Sequence, residues 1–192
     1  MDVMRRRLIS AVLAVLTLAS GWALPVNAAP PQIEDPAGDH PVPFMDFTSV
    51  ALAVGQGKTG PYLETTFTLA GMLGQASQTS MTGYSFTATV GKCELLVRYI
   101  GYPEGGVISS GTQFVTTKCG AGGRDVGGTA SLTENTITVR SPLRDLKGVA
   151  IGQTMTNLAA FNAPGEGQYH DDTTAPWAVG DAASSDKPWT IG

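Results

Sequence analysis

Residues 62–69 read Tyr62-Leu-Glu-Thr-Thr-Phe-Thr-Leu69 (YLETTFTL). Leu63, Thr65, Phe67 and Leu69 fall on one side of an extended chain, and Glu64, Thr66 and Thr68 fall on the other. Strict alternation of this kind marks a strand with one face buried and one face wet. The same period returns in Asp46–Val54, Tyr84–Val90, Cys93–Ile100, Gln113–Lys118, Thr129–Leu132, Thr136–Arg140 and Thr154–Phe161. Thr, Val, Tyr and Phe dominate these runs, and Gly or Asn punctuates them, which is the signature of antiparallel strands joined by turns. Several such strands predict an all-β fold, an antiparallel jelly-roll-like β-sandwich.

One segment breaks the period. Ser141-Pro142-Leu143-Arg144-Asp145-Leu146-Lys147-Gly148 carries a Ser cap, a Pro at the first helical position and a Gly past the end, so it predicts one short helical turn between strands. The glycine-rich Gly120–Gly123 stretch reads as a loop, because no nucleotide-binding helix follows it.

The chain opens differently. Arg5, Arg6 and Arg7 precede the apolar run Leu8–Leu24, and Val26 and Ala28 stand at −3 and −1 of a cleavage point. This is the layout of a secretory signal peptide over 1–28. Its removal takes away three Arg and Asp2, moving the net charge from −4 to −6. The remainder reads as a single β-sandwich domain over 29–178, followed by a polar C-terminal tail or edge segment over 179–192. The expected location is extracellular or in the cell envelope. No second apolar run reaches membrane-spanning length, so no membrane span is expected after cleavage. An acidic chain predicts no nucleic-acid partner.

Two Cys in an exported chain predict a disulfide. If Cys93–Ile100 and Gln113–Lys118 form a hairpin with Ile100 opposite Thr112, Cys93 falls opposite Cys119 on the same face. A redox-active pair is the other reading, but the spacing lacks the CxxC pattern.

Acidic residues gather at the two ends of the domain. Glu34-Asp35-Pro36-Ala37-Gly38-Asp39-His40 and Asp46 stand near the start, and His170-Asp171-Asp172 near the end. Sandwich termini often lie close together, so Asp35, Asp39, Asp46, Asp171 and Asp172 are candidate ligands for calcium, which takes six to eight hard oxygens. The plainer reading is Asx turns and solvated loop caps. His40 and His170 lie beside these Asp residues, either as ligands of a transition metal or as exposed loop histidines.

A resemblance follows from four segments in order: DPAGDHPVPFMDFTSVALA (35–53), YLETTFTLAG (62–71), TITVRSPLRDLKG (136–148) and DDTTAP (171–176). The chain resembles secreted β-sandwich modules related to DOMON domains and family 9 carbohydrate-binding modules. That resemblance implies a noncatalytic ligand-binding or architectural module, with calcium in the sugar-binding members and haem in the cytochrome-type ones. Haem is not expected here, because the two His sit in acidic end loops rather than against Met45, Met72, Met81 or Met155.

The leading functional expectation is a secreted binding module for a glycan or another envelope ligand, with Tyr99, Tyr102, Tyr169 and Trp177 as candidate stacking rings. The second is a structural or interaction module of the envelope stabilised by calcium. The third is a small secreted hydrolase, for which the sequence offers no G-x-S-x-G elbow, no H-E-x-x-H and no P-loop.

Overall fold

The computed structural model describes residues 30–40, 42–71, 81–104, 107–120, 122–164 and 181–192. The signal layout over 1–28 lies outside them. Twelve strands run among the described residues: β1 (Ile33–Glu34), β2 (Phe47–Gly57), β3 (Gly60–Leu69), β4 (Thr82–Val90), β5 (Cys93–Glu104), β6 (Val107–Cys119), β7 (Gly122–Val126), β8 (Thr129–Leu132), β9 (Thr136–Pro142), β10 (Thr154–Pro164), β11 (Ala182–Ser185) and β12 (Trp189–Thr190). They form an antiparallel five-stranded sheet in the order β1-β2-β3-β9-β8. A second antiparallel sheet runs β11-β10-β4-β5-β6-β7, with β12 also on β10. The all-β sandwich expected from the alternation is the observed architecture.

The face read from YLETTFTL is the buried one: Leu63, Thr65, Phe67 and Leu69 all point into the core. β2 lies beside it, joined by the two-residue turn Lys58-Thr59, with Gly60 at φ +108°, where a side chain would be strained. In β2 the alternation of Val50 and Leu52 would leave Phe47 on the wet side. A bulge between Phe47 and Ser49 corrects the phase, so Phe47 also enters the core. There it stacks on Phe67 of its own sheet, with centroids 5.9 Å apart, and meets Tyr84 of the other sheet edge-on at 6.2 Å. Tyr84 is fully buried, and its hydroxyl donates to the Phe44 carbonyl at 2.9 Å. Burial drives its phenol pKa far upward. Each such ring contributes about 1.5–3 kcal/mol by leaving water.

The hairpin β5–β6 has the register that the cysteine spacing required. Ile100 faces Thr112, Cys93 faces Cys119, and the two cysteines are bridged. A loop of this length restricts the unfolded chain by roughly 3 kcal/mol in the chain-entropy account. Gly148 packs on the bridge so closely that a Cβ there would lie 2.4 Å from the Cys93 sulfur.

Three local readings change. The segment after Ile100 does not leave the sheet: β5 continues to Glu104 and β6 begins at Val107, with a register shift at Tyr102/Pro103. The bulge lets the ladder absorb Pro103, which has no N–H to give. Gly122 and Gly123, read as loop, pair with Cys119 and Lys118 as part of edge strand β7. The helical turn is present as a 3-10 turn over Leu143–Asp145, but Ser141 does not cap it. β9 runs on to Pro142, and Ser141 is a buried strand residue opposite Leu63.

At the C-terminal end, residues 181–192 form an edge segment rather than a loose tail. β11 and β12 pair with β10, and Ile191 is fully buried. No helix among the described residues is long and apolar enough to cross a membrane.

Candidate functional site

Two regions at opposite ends of β2 collect chemically capable side chains. The first begins where β1 stops. Asp35 N–H still donates to the Thr48 carbonyl at 3.1 Å, and Pro36 then prevents further pairing. Gly38 turns the loop back at φ +93°, and its N–H donates to Asp46 Oδ2 at 2.6 Å. Asp46, at the entrance to β2, is only 1% exposed.

From the other end of the chain comes Asp181, which is 8% exposed and held from several sides. The Phe47 N–H donates to its Oδ2 and the Ala182 N–H to its Oδ1, each at 2.8 Å. Its own N–H donates to Asn162 Oδ1 at 2.9 Å, and its carbonyl accepts the Asn162 N–H at 3.0 Å. The Asn162 amide also donates to the Met45 carbonyl, locking β10 to the entrance of β2.

One carboxylate oxygen from each of Asp35, Asp39 and Asp181 lies within 4.8 Å of the other two. Asp35 Oδ2 and Asp46 Oδ1 are buried without a hydrogen-bond partner. Burial, reinforced by the charges of Asp181, Asp39 and Asp46, pushes the Asp35 pKa up to about 6. Asp46 is raised as well, chiefly by burial, against the lowering effect of the Gly38 N–H. These shifts are the cost of packing like charges together with little water.

Asp35, Asp39 and Asp46 thus come together. Asp171 and Asp172 lie outside the described residues, and Asp181 supplies the carboxylate from the C-terminal side. Sequence reasoning misses Asp181 because it stands in a run of small polar residues. Its only sequence mark is a second Gly-Asp step like Gly38-Asp39. His40 is not an exposed loop histidine: it is buried, and its Nδ1 accepts the Val42 N–H at 3.1 Å. His170 lies outside the described residues.

The second region lies at the far end of β2. The Tyr62 ring lies over Gly55, where a Cβ would stand 2.2 Å from it, so only glycine fits beneath the ring. The Arg140 guanidinium stands 5.7 Å from the ring centroid, and its Nε donates to Glu64 Oε2 at 2.6 Å. The Glu64 bond is the main reason the Arg140 pKa rises further. Arg144 Nη1 donates to the Thr59 carbonyl at 3.1 Å, with its Nε 3.8 Å from Asp145. Gln113 donates to the Gly128 carbonyl at 2.6 Å and pins the loop opposite. Between them is an open groove of about 430 Å³ lined by Thr59, Tyr62, Gly128, Thr129, Arg140 and Asp145, among others.

Of the four rings named from sequence, two lie among the described residues, and these two do not share a surface. Tyr99 is a core residue, because the β5 alternation that buries Leu95 and Val97 buries it too. Burial pushes its pKa up to about 12. Tyr102 is partly exposed on the outer face, with its hydroxyl 3.4 Å from that of Thr112. Tyr169 and Trp177 lie outside the described residues. Met45 and Met155 are core side chains.

The fold and these two regions define an all-β sandwich with an acidic cluster at one end of β2 and an open groove at the other. No family model, curated protein or solved structure matches the chain.

Proposed function

We propose that this chain is a secreted, noncatalytic binding module that takes a glycan in the groove beside Tyr62. The observation that carries the reading is the chemistry of the groove wall. Arg140 supplies a fixed donor, Asp145 an acceptor, and Thr59 and Thr129 hydroxyls that do both. A sugar hydroxyl also donates and accepts at once, so a wall that mixes the two suits vicinal hydroxyls better than a wall of one sign. Gly127 has open space where a side chain would stand, so a ring can approach the backbone there. The volume falls within the roughly 300–1,000 Å³ of small-ligand clefts. Export is supported by the Arg5–Arg7 signal layout and by the Cys93–Cys119 bridge, which persists in oxidising compartments.

Glu64 accepts from Arg140 Nε at 2.6 Å and so holds the guanidinium at the groove wall. The test is retention on a panel of immobilised polysaccharides. The wild-type protein is expected to be retained by at least one polymer, and Arg140→Ala to be released from it. Retention by none of the panel, or equal retention of the variant, overturns the reading.

The acidic cluster favours a second reading, in which the chain is a structural or interaction module of the envelope stabilised by calcium. The two are compatible, because cluster and groove lie at opposite ends of β2 and share no residue.

A further inference from the structure

We infer that the outer face of the second sheet docks a second copy of this chain, packed face to face about a two-fold axis. The two sheets differ on their outer faces. On the first sheet that face carries Glu64, Thr66, Thr68, Thr138 and Arg140, and the Thr66 and Thr138 hydroxyls bond to each other. On the second it carries Leu96, Ile100, Tyr102, Phe114 and Phe161. Phe114 is 39% exposed, Phe161 38% and Tyr102 36%. Among the described residues, no large apolar side chain on the outer face of the first sheet is exposed to that degree. Rings gathered in water on one sheet face mark a contact surface, whereas scattered single ones do not.

The register sets this face out in rows. Phe161, Ser85, Arg98 and Phe114 stand opposite one another across β10, β4, β5 and β6. Ala159, Thr87, Leu96 and Thr116 form the next row, and Thr156, Thr89, Glu94 and Lys118 the one after. The first row is a ridge, with two exposed rings and the Arg98 cation between them. Gly83 beside it leaves room for the guanidinium, since a Cβ there would stand 3.1 Å from Nη2. Over the other two rows lies a hollow of about 550 Å³, lined by Thr89, Glu94, Leu96, Lys118 and Phe161 among others. It lies where β10 bulges between Thr156 and Ala159, and Asn157 there donates to the Thr89 hydroxyl at 3.3 Å.

Ridge and hollow lie on either side of the Leu96 row, which makes the face complementary to itself. A half-turn about an axis across the strands, over that row, lays the ridge of each copy on the hollow of the other. Arg98 then faces the partner's Glu94, and the Phe114 ring faces the stem and ammonium of the partner's Lys118. Phe161 faces the hollow beside the partner's Thr89. Opposite charges meet twice by symmetry, whereas an axis over the Arg98 row would set that cation against itself. Strands about 4.8 Å apart, with same-face residues about 6.8 Å apart, make three rows over five strands a patch of roughly 500 Å². Two copies therefore bury roughly 1,000 Å², the lower bound of a specific interface, which points to a weak, reversible dimer.

The experiment is sedimentation velocity of the purified protein over about 5–500 µM. A monomer–dimer equilibrium with a Kd of about 10–100 µM is expected. Glu94→Arg sets like charges against the partner's Arg98, and Arg98→Glu sets them against the partner's Glu94. Each variant alone is expected to stay monomeric, with circular dichroism and thermal melts showing that it is folded. Mixed in equal amounts, the two restore opposite signs at both contacts, so the mixture is expected to dimerise. Phe114→Ser, at an exposed position, is expected to weaken the dimer at least about tenfold, and it keeps the test decisive if Arg98→Glu does not fold. A wild-type chain that stays monomeric throughout leaves the face to another occupant, a glycan or a different protein, and overturns the proposal. A dimer that Glu94→Arg and Phe114→Ser leave unchanged lies elsewhere and overturns it too. Folded charge variants that do not associate when mixed overturn the two-fold arrangement.

Discussion

The two ends of β2 use charge in opposite ways. At the groove end each charge is met: Arg140 has Glu64 and the Tyr62 ring, and Arg144 has Asp145 and the Thr59 carbonyl. At the acidic end Asp35, Asp39, Asp46 and Asp181 crowd together, and two of their oxygens are buried without a donor. The difference separates an end where opposite charges are paired from one where like charges are packed together. Paired surface charges can be exchanged at little cost to folding. Buried like charges cannot, because each is deprived of water.

The largest expected effect is at the acidic end. Asp181→Ala strips the acceptor from the Phe47 and Ala182 N–H groups, and the Phe47 N–H is buried. Urea unfolding should show a loss of about 2–4 kcal/mol. A loss below about 1 kcal/mol would mean that the anchor is dispensable.

Next comes Gly55→Ala at the groove end. The added methyl collides with the Tyr62 ring, and a cost of about 1–3 kcal/mol is expected. Combining it with Tyr62→Ala removes the collision. The double variant should therefore be less destabilised than the sum of the two single variants, as a double-mutant cycle would reveal.

Smaller still is Arg140→Gln. Its side chain is nearly half exposed, so stability should change by no more than about 1 kcal/mol. Polysaccharide retention should nevertheless be lost. A stable variant that still binds would separate the groove from function.

The smallest effect is a dependence on pH in chelator. Asp35 titrates near 6 in the folded protein and near its ordinary value of 3.8 when unfolded. The folded state therefore holds the proton more tightly, so the stabilising contribution is full below 3.8 and is lost as pH rises through 6. Melting temperatures of the metal-free protein should fall between about pH 4 and pH 6, and Asp35→Asn should flatten that slope. A wild-type profile that rises over the same interval would contradict the crowding of charges at this end.

Much of the fold was legible because period two reports burial directly. Leu63, Thr65, Phe67 and Leu69 could be assigned to one face without knowing what covers them. The Cys93–Cys119 pairing was legible for the same reason, since antiparallel register is arithmetic once one pair is set. The acidic cluster was half legible: Asp35, Asp39 and Asp46 stand close in sequence, but Asp181 is brought in by β10 and β11 pairing. Tyr99 misled because an aromatic ring at a core position has the same local sequence as one at a surface position. The short strands β1 and β7 were not legible, since so few residues give no measurable period, and β11 and β12 were legible only as an edge segment weighed against a tail. The groove was invisible too, because Thr59, Gly128 and Arg140 belong to separate segments.

By itself the sequence determined the strand class, the buried face of β3 and the cysteine register. These rest on local alternation and composition, which each segment carries alone. The tertiary structure decided which strands share a sheet, that Asp181 meets Asp35 and Asp39, and that Tyr62 and Arg140 face a groove. Those outcomes depend on contacts between residues far apart in the chain, such as Phe47 with Asp181, and no local pattern encodes them.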